Sequence, residues 1–310
     1  MSAVITVALP VFAIIAAGLT AGRLNLMSIA DSAALNKFVF RIAMPAALFG
    51  LTAGTQPPGA EDLAIALSYG AAGLAAIFGA YFLSQPLFKL TGPEAGAHAL
   101  SSTLGNAVFL GLPIALTMEG WARPFVTLML IEGVAIIAIG SALLAPRKEG
   151  ASFLNRMSGY IIGPFKNPLV IGMAAGFLYS AFGLPFSGPA ETFFSLLGRA
   201  AGPTALFSLG LFLATQPPPP LRQVGGRVGA IAAMKMAVLP AMALGAAALF
   251  GVSDPHYLGA LALFVFTPSG VGSFIMASQA GVYQTETAAA VSAATFISVL
   301  TISGVLVAFG

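Results

Sequence analysis

Long apolar stretches, separated by short polar or proline-rich connections, fill most of the sequence. A helix that crosses a membrane needs about 20 apolar residues. Ten stretches come close to that length: residues 3–22, 32–53, 63–88, 97–118, 123–145, 165–183, 190–214, 228–250, 256–280 and 285–309. The pattern predicts an all-α integral membrane protein with ten transmembrane helices.

Two of these stretches contain a proline where a membrane helix should run unbroken. The first has the sequence Asn106-Ala-Val-Phe-Leu-Gly-Leu-Pro113, and the second has Thr267-Pro-Ser-Gly-Val-Gly-Ser273. Backbone groups that lose their helical partner cannot bond to hydrocarbon, so broken helices persist only where protein or a cavity surrounds them. Breaks at corresponding places in the two halves of a chain point to the binding site of a transporter.

The two halves of the chain resemble each other. Residues 10–51 align with residues 168–209 at an offset of 158 without a gap. The aligned pairs include Pro10 with Pro168, Gly18 with Gly176, Phe49 with Phe207, Arg41 with Arg199, and Pro45 with Pro203. A further shift of three residues places Pro113 on Pro268, which predicts that the breaks are equivalent. Each half, 1–145 and 165–310, has five spans, so the halves must be inserted with opposite topology as an inverted repeat.

Basic residues indicate how the chain is oriented. Lys and Arg collect on the cytoplasmic side of membrane proteins. The odd-numbered loops and their helix ends hold ten basic residues: Arg23, Lys37, Arg41, Lys89, Arg147, Lys148, Arg156, Lys166, Arg222 and Arg227. The even-numbered loops hold only Arg123. Both termini are therefore predicted to face away from the cytoplasm. The connection 146–164, which includes a candidate interfacial helix at Phe153–Arg156, is predicted to be cytoplasmic.

The composition excludes several classes of protein. The chain is 58% hydrophobic and 7% charged, whereas soluble proteins carry about a quarter charged residues. The absence of cysteine excludes disulfides and cysteine-based metal sites. A net charge of +3 does not indicate a nucleic-acid partner, and we expect no cofactor. The expected partners are the lipid bilayer and a small solute.

The breaks supply a candidate site for a carboxylate. A half-helix that begins after a break has free N–H groups and the positive end of the helix dipole. Two such ends near the middle of the membrane would hold an anion, and the Asn106 amide could donate to it. The alternative at each proline is a packing kink. The candidate substrate-binding residues are Asn106, Gly111, Leu112, Pro113, Ile114, Thr267, Pro268, Ser269, Gly270 and Val271.

Three further residues are candidates for coupling to an ion or proton. Glu132 is a carboxyl within an apolar span, where ionisable residues are costly and suggest function. It could carry a proton or bind a cation, or it could be a protonated or paired carboxyl near the membrane surface. Lys235 could take part in coupling, or its long stem could reach the cytoplasmic surface. Ser273 adds a hydroxyl beside the second break.

Four stretches of the sequence resemble the auxin efflux carrier family, which includes plant carriers and bacterial malonate-type carriers. They are Leu35-Asn-Lys-Phe-Val39 followed by Pro45, Asn106 with Gly111-Leu-Pro113, Lys235 followed by Pro240, and Pro268-Ser-Gly270 with Phe274 and Ala277. The resemblance covers essentially the whole chain. The bile-acid symporters have a related fold.

The resemblance implies an architecture and a mechanism. Ten helices would form two inverted five-helix repeats, with broken helices four and nine crossing. Helices 1, 2, 6 and 7 would form a scaffold, through which the protein would dimerise. Helices 3–5 and 8–10 would form a transport domain that moves like an elevator. The expected cargo is an organic anion, although Val271-Gly-Ser273 lacks the second proline common in plant members, so auxin itself is not expected.

The sequence therefore predicts a secondary carrier of a small carboxylate in the bacterial cytoplasmic membrane. A sodium-coupled carrier of the bile-acid symporter type is one alternative, but the segment 256–280 has no acidic residue for an ion site; Glu132 keeps this alternative open. A ligand sensor without transport is another. An enzyme is not expected, because no Asp lies in mid-span and no His-Glu-x-x-His motif occurs.

Overall fold

The structure is a computed structural model that describes residues 9–54, 59–144, 168–215 and 221–310. The predicted cytoplasmic connection 146–164, with its interfacial helix, lies outside these residues. Within them the chain is helical, and its β-type pairing is a single bridge between Gly105 and Ser269. The prediction of an all-α chain is confirmed for this part of the protein.

The described residues form twelve helical elements, which fall on the ten apolar stretches. They are α1 (Leu9–Arg23), α2 (Ile29–Ala53), α3 (Ala60–Phe88), α4 (Gly92–Thr103), α5 (107–115), α6 (Ala122–Leu144), α7 (Pro168–Ala181), α8 (Pro189–Thr215), α9 (221–249), α10 (Pro255–Val265), α11 (Val271–Ala280) and α12 (Gln284–Phe309). In the described residues, six of them are long and apolar enough to cross a membrane: α2, α3, α6, α8, α9 and α12.

Several prolines lie inside helices without breaking them. Pro45, Pro113 and Pro240 each follow a π-helical turn, at Val39–Ala43, Ala107–Gly111 and Met234–Val238. Proline lacks an N–H group, and its ring clashes with the carbonyl four residues earlier. A wider turn accommodates this clash locally. These prolines therefore mark wide turns rather than helix ends.

One group of helices packs through glycines. Gly18 of α1 lies against the carbonyl of Phe207 in α8, and Gly176 of α7 lies against the carbonyl of Phe49 in α2. A Cβ on either glycine would overlap the facing backbone. Small residues let membrane helices approach this closely, because packing rather than hydrophobicity holds them together. The two contacts are displaced from each other by 158 positions, the offset of the sequence alignment.

The remaining helices form a second group. In it, α3 packs against α4, α6 and α9, while α10 packs against α6 and α12. The two groups meet where α5 lies on α8, with Pro113 beside Gly202, and where the end of α2 meets the start of α6. The interrupted helices α4–α5 and α10–α11 both belong to the second group.

Candidate functional site

The two interrupted helices pair with each other at their gaps. Helix α4 ends at Thr103 and α10 ends at Val265, each followed by a few extended residues before the next helix. The Asn106 N–H donates to the Pro268 carbonyl at 2.8 Å, and the Gly270 N–H donates to the Leu104 carbonyl at 2.9 Å. Each break thus supplies partners for backbone groups that the other break leaves free, as a membrane interior requires.

The first break does not lie where the sequence suggested. The prediction of a break at Gly111–Pro113, with a new half-helix starting near Pro113, is wrong: residues 107–115 are helical and the gap is at 104–106. The π-helical turn before Pro113 accommodates its ring. The predicted equivalence of Pro113 and Pro268 is also wrong, because Pro268 lies in the crossing and Pro113 lies two helical turns beyond it.

The other residues predicted in these segments are distributed unevenly around the crossing. The second break falls between Val265 and Val271, as predicted. Leu112 and Ile114 lie within α5 and are buried, and a Cβ on Gly111 would overlap Phe125. The helix α5 therefore begins at the crossing, and its middle packs at Gly111 between Phe125 and Thr267 of the second break.

Three hydroxyl groups donate hydrogen bonds to backbone carbonyls near the gaps. Ser269 donates to the Ser101 carbonyl at 2.8 Å. Thr267 donates to the Phe264 carbonyl at 2.6 Å, and Ser273 donates to the Gly270 carbonyl at 2.8 Å. The hydroxyl protons of these side chains are therefore used within the protein. Their first effect is to hold the crossing together.

Glu132 joins the crossing from the side of α6. Its Oε1 atom accepts from the Gly105 N–H at 2.9 Å and from the Tyr69 hydroxyl at 2.9 Å. The residue is 5% exposed. Glu132 is therefore a carboxyl that is paired with two donors inside the protein. Glu132 holds the central residue of the first break, through an N–H group that has no helical acceptor.

Lys235 approaches the crossing from α9. Its Nζ atom donates to the Val265 carbonyl at 2.9 Å, and the residue is 1% exposed, so its stem does not reach the membrane surface. A cation is favourable at the last carbonyls of a helix, which is where Val265 lies in α10. Glu132 Oε1 and Lys235 Nζ each lie 3.5 Å from the place that a Cβ on Gly105 would occupy.

Two buried polar atoms near the first break lack a hydrogen-bond partner among the described residues. They are the Nδ2 atom of Asn106 and the Oγ atom of Ser101, and the two residues are 2% and 0% exposed. A buried polar group without a partner costs about 1–3 kcal/mol. Such groups are retained where a ligand or water completes them. The Asn106 amide is therefore a donor that no described residue uses, and its role in binding stays a prediction.

Three residues of the crossing escaped the sequence analysis. Gly105 is the point of closest approach, Tyr69 orients Glu132, and Ser101 anchors Ser269. The Gly-Asn pair at 105–106 within an apolar stretch was the available indication of the true break. Tyr69 lies far away in sequence and carries no local pattern, so its role appears only when α3 and α6 pack together.

The fold and the crossing define a class of protein. Interrupted helices that meet within a bundle of apolar spans are the architecture of membrane transporters. The chain belongs to the membrane transport protein family, whose model matches residues 3–158 and 142–306. The resemblance to the auxin efflux carrier family is thereby confirmed.

Similar proteins carry transporter names. A Rhizobium meliloti protein named "Putative malonate transporter" is 28% identical over 282 residues, which cover 88% of this chain and 85% of the relative. The "Uncharacterized transporter YfdV" of Escherichia coli is 27% identical over 215 residues, covering 66% and 67% of the two chains. A Shigella flexneri protein with the same name matches equally well.

The steric demand at the crossing is testable by substitution. A Cβ on Gly105 would overlap the Thr267 hydroxyl oxygen, so Gly105→Ala should lower the free energy of unfolding by about 1–3 kcal/mol. Adding Thr267→Ala removes that oxygen and should recover part of the loss. Gly79→Ala is the matched control, because a Cβ there meets nothing within 4 Å. Thermal unfolding in detergent measures all four proteins. Equal stability of Gly105→Ala and the wild type would contradict this account of the crossing.

Proposed function

We propose that the protein is a secondary carrier of a small carboxylate. The observation that carries the proposal is the buried Asn106 amide, whose Nδ2 atom has no partner among the described residues. It lies at the start of α5, and α11 starts at the same crossing. The first N–H groups of both helices carry positive partial charge. Together these donors suit a carboxylate without a buried arginine.

The relatives support a small acid as cargo. The name of the Rhizobium meliloti relative refers to malonate, a short dicarboxylate. We propose a substrate of this size, bound by Asn106 and the residues around the two gaps, with Thr267, Pro268, Ser269, Gly270 and Val271 shaping the second side. Gly111, Leu112, Pro113 and Ile114 would act by positioning α5 rather than by direct contact.

The contacts within the first helix group support ten transmembrane helices in two inverted repeats. Gly18 meets Phe207 as Gly176 meets Phe49, which is the reciprocal pairing that a two-fold relation between halves would give. Gly210 likewise lies against the Ile15 carbonyl, while Thr52, its counterpart, donates to the Met173 carbonyl. The crossing of α4–α5 and α10–α11 would then lie near the axis that relates the repeats.

The two helix groups correspond to the two domains expected for an elevator. We propose that α1, α2, α7 and α8 form the scaffold and that the second group forms the moving domain with the crossing inside it. The scaffold would be the dimer interface. The basic residues of the odd-numbered loops favour a cytoplasmic connection 146–164, with both termini on the opposite side of the bacterial cytoplasmic membrane.

Glu132 is the candidate that we propose for coupling. It is the buried carboxyl that binds the N–H of Gly105, the neighbour of Asn106. A change of its charge would therefore be felt at the substrate site. Lys235 supplies a buried positive charge near the same residue, Gly105, and Ser273 supports the second break. A sodium ion in place of a proton, and ligand sensing without transport, are outcomes that the following experiments distinguish.

Uptake into proteoliposomes tests the carrier. Purified protein is supplied with malonate, other short mono- and dicarboxylates and indole-3-acetate, with pH and sodium gradients imposed separately. We expect uptake of one short acid, and we expect Asn106→Ala to reduce it by about tenfold or more, since the anion loses a charge-assisted hydrogen bond. Ser102→Ala is the control, because this buried hydroxyl bonds to the His98 carbonyl of its own helix.

The contrary results are informative. Binding of a panel acid without uptake under any gradient would replace the carrier by a sensor. Uptake driven by sodium but not by pH would favour the symporter type. Equal uptake by the wild type and Asn106→Ala would remove this residue from the site.

Replacement of the buried carboxyl tests coupling. A glutamine in place of Glu132 can still accept from Gly105 and Tyr69 but cannot exchange a proton. If Glu132 carries the coupling proton, Glu132→Gln should abolish uptake driven by a pH gradient and preserve exchange of labelled for unlabelled acid. Glu119→Gln, at an exposed loop position, should leave both processes unchanged. Intact pH-driven uptake in Glu132→Gln would assign the proton elsewhere.

A disulfide between the two helix groups tests the elevator. The chain has no cysteine, and a Cβ on Gly202 would lie 3.3 Å from the Cβ of Pro113, close to the separation in disulfides. Oxidation of Gly202→Cys/Pro113→Cys should stop uptake, and reduction should restore it. The control pair Gly198→Cys/Ala47→Cys lies within the scaffold, so its oxidation should have no effect. Undiminished uptake by the fully cross-linked first pair would exclude sliding at this contact.

A further inference from the structure

An ion pair at one end of α3 joins three helices. The Asp62 carboxylate accepts from Arg123 Nη2 at 2.6 Å and from the Tyr257 hydroxyl at 3.0 Å. It also caps α3 through the Gly59 N–H at 2.8 Å. Asp62 is 3% exposed. We name Asp62, Arg123 and Tyr257 the Asp62 clasp, since they tie the first turns of α3, α6 and α10 together.

A second ion pair lies at the other end of α3. Arg227 Nη1 donates to Glu286 Oε1 at 2.7 Å, and Nη2 donates to the Phe88 carbonyl, in the last turn of α3, at 3.5 Å. The guanidinium also lies 5.9 Å from the centre of the Tyr283 ring. We name Arg227, Glu286 and Tyr283 the Arg227 clasp. Because α3 has 29 residues, the clasps are separated by about 40 Å along its axis.

The clasps occupy corresponding positions with their charges exchanged. Asp62 and Arg227 are 165 positions apart, Arg123 and Glu286 are 163 apart, and the paired residues Gly105 and Ser269 are 164 apart. In one clasp the acid precedes the base along the chain, and in the other the base precedes the acid. The ion pair thus joins α3 to α6 in the first half and α9 to α12 in the second half, with the acidic and basic residues exchanged.

In each clasp, a tyrosine contacts or belongs to the N-terminal half of one interrupted helix, α4 or α10. Tyr257 belongs to α10, so its bond to Asp62 holds that half-helix directly. Tyr283 forms a 3.1 Å hydrogen bond with His98 Nδ1, and His98 belongs to α4. The half-helix α10 is thus fixed at its first turn by one clasp, α4 is fixed at its middle residue His98 by the other, and both end at the crossing.

We propose that the two clasps are positioning elements. They keep the half-helices α4 and α10 aligned, so that the crossing keeps one geometry while its domain moves. The six clasp residues lie at the helix ends, away from the crossing. Loss of a clasp acts through the half-helix, by letting the end of α4 or α10 shift at the gap. This role goes beyond the proposed carboxylate transport, although its flux test depends on that activity.

Hydrogen exchange of the full-length protein in detergent tests the proposal without a substrate. We expect Asp62→Arg or Arg123→Asp alone to speed exchange about tenfold in peptides that cover 104–106 and 268–270, since each reversal sets two like charges against each other at the start of α3. The exchanged pair Asp62→Arg/Arg123→Asp should lie closer to the wild type than either single variant does. Its recovery should be partial, because an arginine in place of Asp62 cannot accept from the Gly59 N–H. The corresponding series at Arg227 and Glu286 should behave in the same way.

Controls separate positioning from general destabilisation. Peptides from α1 and α8 should exchange at the wild-type rate in every variant, because the clasps join helices of the other group. Tyr257→Phe removes the link to α10 and should loosen 268–270. Tyr179→Phe is its control, as that hydroxyl bonds to the Pro185 carbonyl. Faster exchange throughout the chain, or no recovery in either exchanged pair, overturns the proposal, as does unchanged exchange in all single variants.

Uptake of labelled malonate gives a second measurement if the wild type transports it. Single charge reversals should raise KM about tenfold with a smaller change in maximal rate, because the site loses its geometry rather than its moving parts. The exchanged pairs should restore KM. If the wild type transports no carboxylate, the proposed function fails while the exchange experiment still decides on the clasps.

Discussion

The crossing depends on one constraint, which is that backbone groups released inside a membrane must find partners within the protein. Two interruptions that face each other satisfy this constraint for each other, since the Asn106 N–H bonds to the Pro268 carbonyl and the Gly270 N–H bonds to the Leu104 carbonyl. Two backbone groups remain without a backbone partner at the gaps. Glu132 accepts from one of them, the Gly105 N–H, and Lys235 donates to the other, the Val265 carbonyl. The charged residues thus stabilise the same backbone whose free groups are proposed to bind the substrate.

The sequence predicted the all-helical chain and the second break, because long apolar stretches and a Thr-Pro-Ser-Gly run are local features. It misplaced the first break, because proline has two structural outcomes in a membrane helix. At Pro268 the chain leaves the helix; at Pro113 a π-helical turn accommodates the ring and the helix continues. The choice is made by the partner segment, which fits only against the glycine at 105. The Gly-Asn pair at 105–106 indicates a break, but it does not show which segment packs against it.

The predicted alignment of the halves holds for the first helix group but not for the crossing. An offset of 158 relates the contacts of Gly18 and Gly176, but the crossing residues Gly105 and Ser269 are 164 positions apart. Six extra residues in the second half therefore lie between the regions that these two offsets relate, and a shift of three residues in the other direction matched two prolines that are not equivalent. In so biased a composition, such a match arises easily. Contacts between distant residues distinguish the two registers.

The position of Glu132 links its charge to the geometry of Asn106, the proposed substrate-binding residue. A carboxylate accepts stronger hydrogen bonds than a neutral carboxyl does, so neutralising Glu132 weakens its hold on Gly105. The neighbouring residue is Asn106, whose N–H bonds to the second break and whose amide faces no partner among the described residues. A ligand shifts a conformational equilibrium only by its difference in affinity for the two states. In the proposed carrier, the shared backbone segment at 105–106 would give proton and substrate that difference, because each would change the geometry that the other binds.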